Sequence, residues 1–296
     1  MPGPPVRPGW RAFVEAARPK TLGAGVVCVL VGTAAAGRFI AWRFFAALVA
    51  AVAVQIAVNY ANDYFDGVKG VDTHTRLGPR RLVAAGVVSP NAMRLATGVA
   101  LAVASVPGLA LAARIGPQVI VVGLLSFAAA LGYSGGPKPL ASLGLGEVFV
   151  FVFFGLVGTI GSAYVQTEKI LARASVAAVP VGLLAAALLL VNNIRDVDTD
   201  AAAGKATLAV RVGRRRAQAL YTGIVAGAFA ITAGAALGFR AWGILIGLLA
   251  APLALKPLRL VRTRTDGPGL IQALVATARL QTVYGGLLTI GLWIGR

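Results

Sequence analysis

Apolar and polar positions alternate in long blocks along the chain. From Leu22 to the C-terminus, long apolar runs are separated by short polar segments. A helix needs about 20 mostly apolar residues to cross a bilayer, so this pattern predicts membrane-spanning helices. We therefore predict an all-α fold, a membrane helical bundle of about nine transmembrane helices around a central cavity. The predicted spans are 21–37, 44–61, 93–113, 117–133, 147–165, 176–194, 218–237, 241–257 and 272–294.

The composition agrees with a membrane protein. Of the 296 residues, 58% are hydrophobic and only 13% are charged, and the mean hydropathy is +0.81. A soluble domain of this length needs a larger charged surface. The net charge of +18 would suggest a nucleic-acid partner for a soluble protein. Here the basic residues lie mainly between apolar runs, which favours orientation by the positive-inside rule and no nucleic-acid partner.

The distribution of positive charge predicts an orientation. With a cytoplasmic N-terminus and nine spans, the inside segments hold 20 Lys and Arg residues and the outside segments hold 7. We expect a multi-pass protein of the cell membrane with the C-terminus outside. Residues 1–20 form a cytoplasmic lead-in with an interfacial helix near 10–17, and residues 21–296 form a single transmembrane domain. The longest inside loops, near 62–92, 134–146 and 195–217, are expected to carry the active site.

Acidic residues are concentrated at two inner span ends. Six of the seven aspartates lie in two clusters, 59–72 and 192–200. Steps of three and four residues place such side chains on one helix face. Carboxylates gathered at a bilayer boundary need cations, and hard oxygen ligands suit Mg²⁺ bridged to substrate phosphates. Any single aspartate could instead cap a helix, but the paired arrangement favours a metal site. The candidate ligands are Asp63, Asp66, Asp72, Asp196 and Asp200, supported by Asn62 and Asn192.

Basic residues on the same face suit a diphosphate, which takes Mg²⁺ and direct Lys or Arg contacts. The candidates are Lys69, Arg80, Arg81, Lys138 and Lys205, whereas 214–216 are assigned to membrane orientation. Tyr133, at the inner end of the fourth span, could face a carbocation with its ring. Glu147 has two open interpretations, a charge at a helix N-terminus or a pocket residue.

These motifs resemble a known family. Asn62-Asp63-x-x-Asp66 with Asp72, and Asp196-x-x-x-Asp200 with Lys205, resemble the two aspartate motifs of the UbiA superfamily of membrane prenyltransferases. The stretches 62–80, 133–147 and 192–211 are similar to its menaquinone-pathway branch. The resemblance implies that the clusters bind Mg²⁺ and a polyprenyl diphosphate. It also implies transfer of the polyprenyl group to 1,4-dihydroxy-2-naphthoate, with loss of the carboxylate, to give demethylmenaquinone.

Three alternatives stand beside this prediction. Another branch of the superfamily would make ubiquinone, haem O or chlorophyll-type products. A cation-coupled transporter would place its acids nearer the middle of the spans. A CDP-alcohol phosphotransferase also uses membrane aspartates with Mg²⁺, but its longer Asp-Gly-x-x-Ala-Arg pattern is not found in this sequence.

Overall fold

The computed structural model describes residues 9–69, 81–238 and 241–295, and only the backbone of Lys20. Two predicted site residues, Asp72 and Arg80, lie outside the described residues. Within the described ranges the chain is helical and contains no strand. The helices are α1 Trp10–Ala16, α2 Gly23–Ala36, α3 Ala41–Val68, α4 Pro90–Ile115, α5 Gln118–Gly132, α6 Gly146–Thr167, α7 Ala172–Arg195, α8 Val197–Ala202, α9 Leu208–Val212, α10 Arg214–Gly238, α11 Trp242–Thr263 and α12 Gly267–Ile294.

Six of these helices, α3, α4, α6, α7, α10 and α11, are long and apolar enough to cross a membrane. Two further apolar helices, α2 and α5, are shorter. The prediction of an all-helical membrane protein is confirmed for the described part of the chain. The count of nine spans stays a prediction. A helix at Trp10–Ala16 occupies the expected position in the lead-in, and its place at the membrane surface stays a prediction.

Of the six membrane-length helices, α7 is the most enclosed. In its most apolar window 67% of the residues are buried, compared with 22% in α3, so α7 is enclosed by other helices. It packs against α6 through glycines: a Cβ added to Gly155 would lie 2.7 Å from the Cα of Gly182. Small residues of this kind let two helix backbones touch inside a membrane. The facing part of α6, Phe151–Ile160, is a π-helix, a form that is rare over ten residues.

A cavity of about 1230 Å³ lies within the bundle, as expected from the sequence. Its wall is mostly apolar and includes the rings of Phe149 and Phe153, which stack with centroids 5.8 Å apart. Asn62, Tyr133 and Asn192 form a polar part of the lining. The cavity therefore joins an apolar chamber to the ends of the helices that carry the aspartates.

The helix ends fix the position of these aspartates. The predicted span 44–61 is part of a longer helix, because α3 continues to Val68 and keeps the first cluster helical. The enclosed helix α7 ends at Arg195, and Asp196 caps it with its backbone N–H bonded to the carbonyl of Asn192 at 3.1 Å. Both clusters therefore start at the end of a long apolar helix, as the sequence pattern indicated.

Candidate active site

The two aspartate clusters meet at Asp66. This side chain, which is 7% exposed, accepts a hydrogen bond from Nη2 of Arg81 at 2.6 Å. Its other oxygen lies 3.4 Å from Nζ of Lys205. Lys205 belongs to the second cluster, since its backbone N–H bonds to the carbonyl of Asp200 at 2.9 Å. The two parts of the sequence that were predicted to share one ligand are therefore adjacent.

The second cluster is centred on Asp196, which is buried. Arg195 donates two hydrogen bonds to it, from Nε to Oδ1 at 2.7 Å and from Nη2 to Oδ2 at 2.5 Å. The same guanidinium donates to Oδ1 of Asn192 at 2.9 Å. Asp200 is half-buried on α8, one turn after Asp196. Asp198, by contrast, has an 87% exposed side chain and pairs with Arg214, so it lies outside the site.

The loop after α5 is attached to the end of α3. The hydroxyl of Ser134 donates to Oδ1 of Asn62 at 2.6 Å. Nζ of Lys69 donates to the carbonyls of Ser134 and Gly136 at 3.2 and 3.1 Å. Lys138 is exposed further along the same loop. The structure thus places Asn62, Lys69 and Lys138 around the first cluster, with Lys69 bonded to backbone carbonyls.

Tyr133 follows the last residue of α5 and lines the cavity. A Cβ added to Gly146 would lie 3.2 Å from the hydroxyl oxygen of Tyr133, so the Tyr133 ring packs beside the first turn of α6, which carries Glu147.

Glu147 combines the two interpretations left open by the sequence. It lies in the first turn of a helix, where a negative charge is favourable, and it is only 5% exposed. Its Oε1 accepts a hydrogen bond from Nδ2 of Asn193 at 2.9 Å. Its Oε2 has no hydrogen-bond partner among the described residues. A buried carboxylate with one free oxygen has capacity for a further donor beside Tyr133.

The donor set of the site fits Mg²⁺ that arrives with a phosphate ligand. Asp66, Asp196, Asn62 and Asn192 offer carboxylate and amide oxygens, the ligands that Mg²⁺ prefers. Among the described residues, no three His, Cys, Asp or Glu side chains form a preassembled metal cage. Mg²⁺ commonly uses one or two carboxylates and takes its remaining ligands from water and substrate phosphates. Arg81, Lys205 and Arg195 balance the charge of the Asp66 and Asp196 carboxylates.

Some residues of the site were missed or undervalued by sequence reasoning. Arg195 was not chosen as a site residue, although it binds Asp196 directly. Its three-residue spacing from Asn192 was the available signal. Ser134 and Asn193 lie within the segments 133–147 and 192–200 but were not chosen as site residues, because their partners are remote in sequence. Arg214, which was assigned to membrane orientation, also donates to the carbonyl of Ile194 at 2.8 Å and so caps the end of α7.

An all-helical bundle with charged clusters at the polar end of an apolar cavity defines a class of membrane enzyme that acts on a lipid with an anionic head. The family model described as the UbiA prenyltransferase family matches residues 25–274. The chain therefore belongs to the UbiA prenyltransferase family.

Relatives and solved structures agree with this assignment. The chain is 41% identical over 275 residues to a Mycobacterium tuberculosis protein named 1,4-dihydroxy-2-naphthoate octaprenyltransferase, with 92% of this chain and 93% of the relative covered. An Escherichia coli protein of the same name is 36% identical, with 94% and 92% covered. The fold resembles the apo structure of a UbiA homolog from Aeropyrum pernix K1, at TM-score 0.62 and 18% identity, with 98% of both chains covered.

A second solved structure carries ligands. The UbiA homolog from Archaeoglobus fulgidus bound to GPP and Mg²⁺ matches with a TM-score of 0.60 and 13% identity, and the match covers 94% of this chain and 99% of that one. At this level of identity the likeness shows a shared fold.

Proposed function

We propose that this protein transfers a polyprenyl group from polyprenyl diphosphate to 1,4-dihydroxy-2-naphthoate, with decarboxylation, in menaquinone biosynthesis. The named relatives, similar over nearly their whole length, support this acceptor. The observation that carries the proposal is the contact between Asp66 and Lys205, which joins the two aspartate clusters beside an apolar cavity.

The donor's diphosphate binds between the two clusters. Arg81, Lys205 and Arg195 would bond its oxygens, with Lys69, Lys138 and the sequence-predicted Arg80 as further cations. Mg²⁺, held by Asp66, Asp72, Asp196 and Asp200 with support from Asn62 and Asn192, would supply charge neutralisation to the leaving diphosphate. Fixed cations in a site with little water stabilise developing negative charge more strongly than the same groups in bulk water.

The allylic carbon of the donor lies where the polar and apolar parts of the site meet. The electron-rich face of the Tyr133 ring can stabilise positive charge on this carbon. The apolar wall around Phe149 and Phe153 holds the tail and keeps water from the allylic cation. Because neither the tail nor the prenylated product enters water readily, the cavity must exchange both with the lipid phase.

The acceptor binds within the same cavity. Two arginines, Arg18 and Arg279, are part of its otherwise mostly apolar lining. Arg279 forms no hydrogen bond or ion pair with any described residue, and a charge on a membrane helix usually marks a functional site. It can pair with the carboxylate of the naphthoate. The ring carbon that carries this carboxylate forms the new C–C bond, and the electron pair of the broken C–CO₂ bond returns to the ring.

The finer topology is part of the proposal. Nine spans with a cytoplasmic N-terminus would place both clusters on the cytoplasmic side of the cell membrane, where a water-soluble naphthoate is available. The excess of positive charge in the intervening segments supports this orientation.

The test measures diphosphate release from a polyprenyl diphosphate by the purified protein, with and without Mg²⁺ and with and without 1,4-dihydroxy-2-naphthoate. We expect release that needs both additions, and a prenylated product lacking the carboxylate by mass spectrometry. Asp196→Asn should abolish turnover while the protein remains folded. Full turnover with another aromatic acceptor and none with the naphthoate would assign the chain to a different branch. No diphosphate release with any acceptor would contradict prenyl transfer.

A further inference from the structure

Asp63 makes a different set of contacts from the other aspartates of its cluster. Its Oδ2 accepts a hydrogen bond from the backbone N–H of Leu82 at 3.0 Å, and its Oδ1 accepts one from that of Val83 at 2.9 Å. The residue is 1% exposed, and it forms no ion pair with any described residue. Both of its oxygens are thus directed at one backbone turn instead of at the cations of the site.

These two bonds are strong enough to fix the turn. Hydrogen bonds from backbone N–H groups to an ionised carboxylate are shorter and roughly twice as strong as neutral ones. They also offset the cost of burying a carboxylate that pairs with no cation among the described residues. Each oxygen of Asp63 is therefore engaged by a backbone N–H, whereas Asp66 has an Arg and a Lys that a metal and a diphosphate can replace.

The turn held by Asp63 carries a residue of the diphosphate site. Arg81 directly precedes Leu82, and its guanidinium reaches Asp66 at 2.6 Å. Packing adds a second restraint: a Cβ on Gly67 would lie 2.6 Å from Cβ of Val83, so the turn rests directly on the end of α3. The backbone on either side of Asp66 is therefore locked to the backbone that bears Arg81.

We propose that Asp63 is a positioning residue, which holds Arg81 over the diphosphate site through the Leu82–Val83 amides and does not bind the metal. The inference rests on the proposed function, because Arg81 needs a diphosphate to act on. It revises the sequence-based expectation that Asp63 is an Mg²⁺ ligand. The metal set is then Asp66 with the second cluster, and Asp72 remains a predicted member.

The test compares Asp63→Asn, Arg81→Gln and the double variant. Asn keeps one acceptor oxygen and presents an NH₂ group to the second amide, so the turn should shift. We expect the KM for polyprenyl diphosphate to rise roughly tenfold in each single variant, as for a lost charge-assisted hydrogen bond. The double variant should be no worse than Arg81→Gln alone, because both changes act through one guanidinium. Independent, multiplying effects would overturn the proposal.

A second readout is metal affinity, measured by Mn²⁺ electron paramagnetic resonance at saturating inorganic diphosphate. Asp63→Asn should bind Mn²⁺ within twofold of the wild type, whereas Asp66→Asn should bind it at least tenfold more weakly. Equally weakened Mn²⁺ binding in both variants would show that Asp63 is a metal ligand and would overturn the proposal. This outcome is separate from failure of the proposed function, in which the wild-type protein itself would transfer no prenyl group.

A third variant covers the case in which Asp63→Asn does not fold. Gly67→Ala pushes on Val83 and moves the same turn while leaving every carboxylate in place. It should raise the KM for polyprenyl diphosphate several-fold and leave Mn²⁺ affinity unchanged. A Gly67→Ala protein with the wild-type KM would overturn the idea that the position of this turn controls diphosphate binding.

Discussion

Replacing Lys205 tests whether the contact between the two clusters serves the substrate. In the structure Nζ of Lys205 lies 3.4 Å from Oδ1 of Asp66, and the two side chains are 17% and 10% exposed. Asp66 also has Arg81 at 2.6 Å, so Lys205→Gln leaves no buried carboxylate without a cation. We therefore expect the free energy of unfolding to change by less than about 1 kcal/mol.

The effect on catalysis should be much larger. A hydrogen bond from a charged group to a phosphate oxygen contributes about 1.5–3 kcal/mol, so its loss should lower kcat/KM by roughly 10- to 150-fold. The assay is the initial rate of diphosphate release at varied polyprenyl diphosphate in detergent or nanodiscs. The matched control is Lys256→Gln, the same change at an exposed lysine of α11, which should keep wild-type kinetics. Equal kcat/KM in the two variants would refute a role of Lys205 at the diphosphate.

Three further predictions concern packing, capping and acceptor binding. Gly155→Ala forces a methyl group against the facing backbone of α7 and should destabilise the fold by about 1–3 kcal/mol in an SDS unfolding titration. The control Gly223→Ala adds a methyl group in open space and should leave the free energy of unfolding unchanged. Arg214→Gln removes an ion pair with the exposed Asp198 and one hydrogen bond to the end of α7. The free energy of unfolding should fall by about 1 kcal/mol, and kcat should stay within roughly threefold of the wild type. A tenfold loss of kcat would contradict this. Arg279→Gln should raise the KM for the naphthoate and leave the KM for polyprenyl diphosphate unchanged. A raised KM for polyprenyl diphosphate with an unchanged KM for the naphthoate would contradict the placement of Arg279 in the acceptor site.

The sequence predicted those features that depend on local pattern. Apolar runs indicated membrane helices, and the position of Asp66 and Asp196 at helix ends followed from where those runs stop. The C-terminal end of α3 was predicted less accurately, at residue 61 instead of Val68. Residues 62–68 are too polar to be counted in a membrane span, although the helix continues through them. The π-helical turn pattern of Phe151–Ile160 was also not predicted, since an apolar segment looks the same in either helical form.

Contacts between remote residues could not be predicted. The meeting of Lys205 with Asp66 depends on how α3 and the segment after α7 lie around the cavity, and spacing along one helix gives no information on that. The partners of Asp63 are two backbone amides, which any residue type could provide. For the same reason the sequence ranked Asp63 with the metal ligands, although its oxygens are directed at the Leu82–Val83 turn.

The central claim is that both aspartate clusters bind one diphosphate. Its most direct test is a structure of the protein with Mg²⁺ and an S-polyprenyl thiolodiphosphate, which cannot ionise readily. We expect the diphosphate to lie between Asp66 and Asp196, bridged to both through Mg²⁺ and bonded by Arg81 and Lys205, with its tail in the apolar cavity. A diphosphate bound to one cluster alone, with the other cluster too far away to share a metal ion with it, would contradict the account.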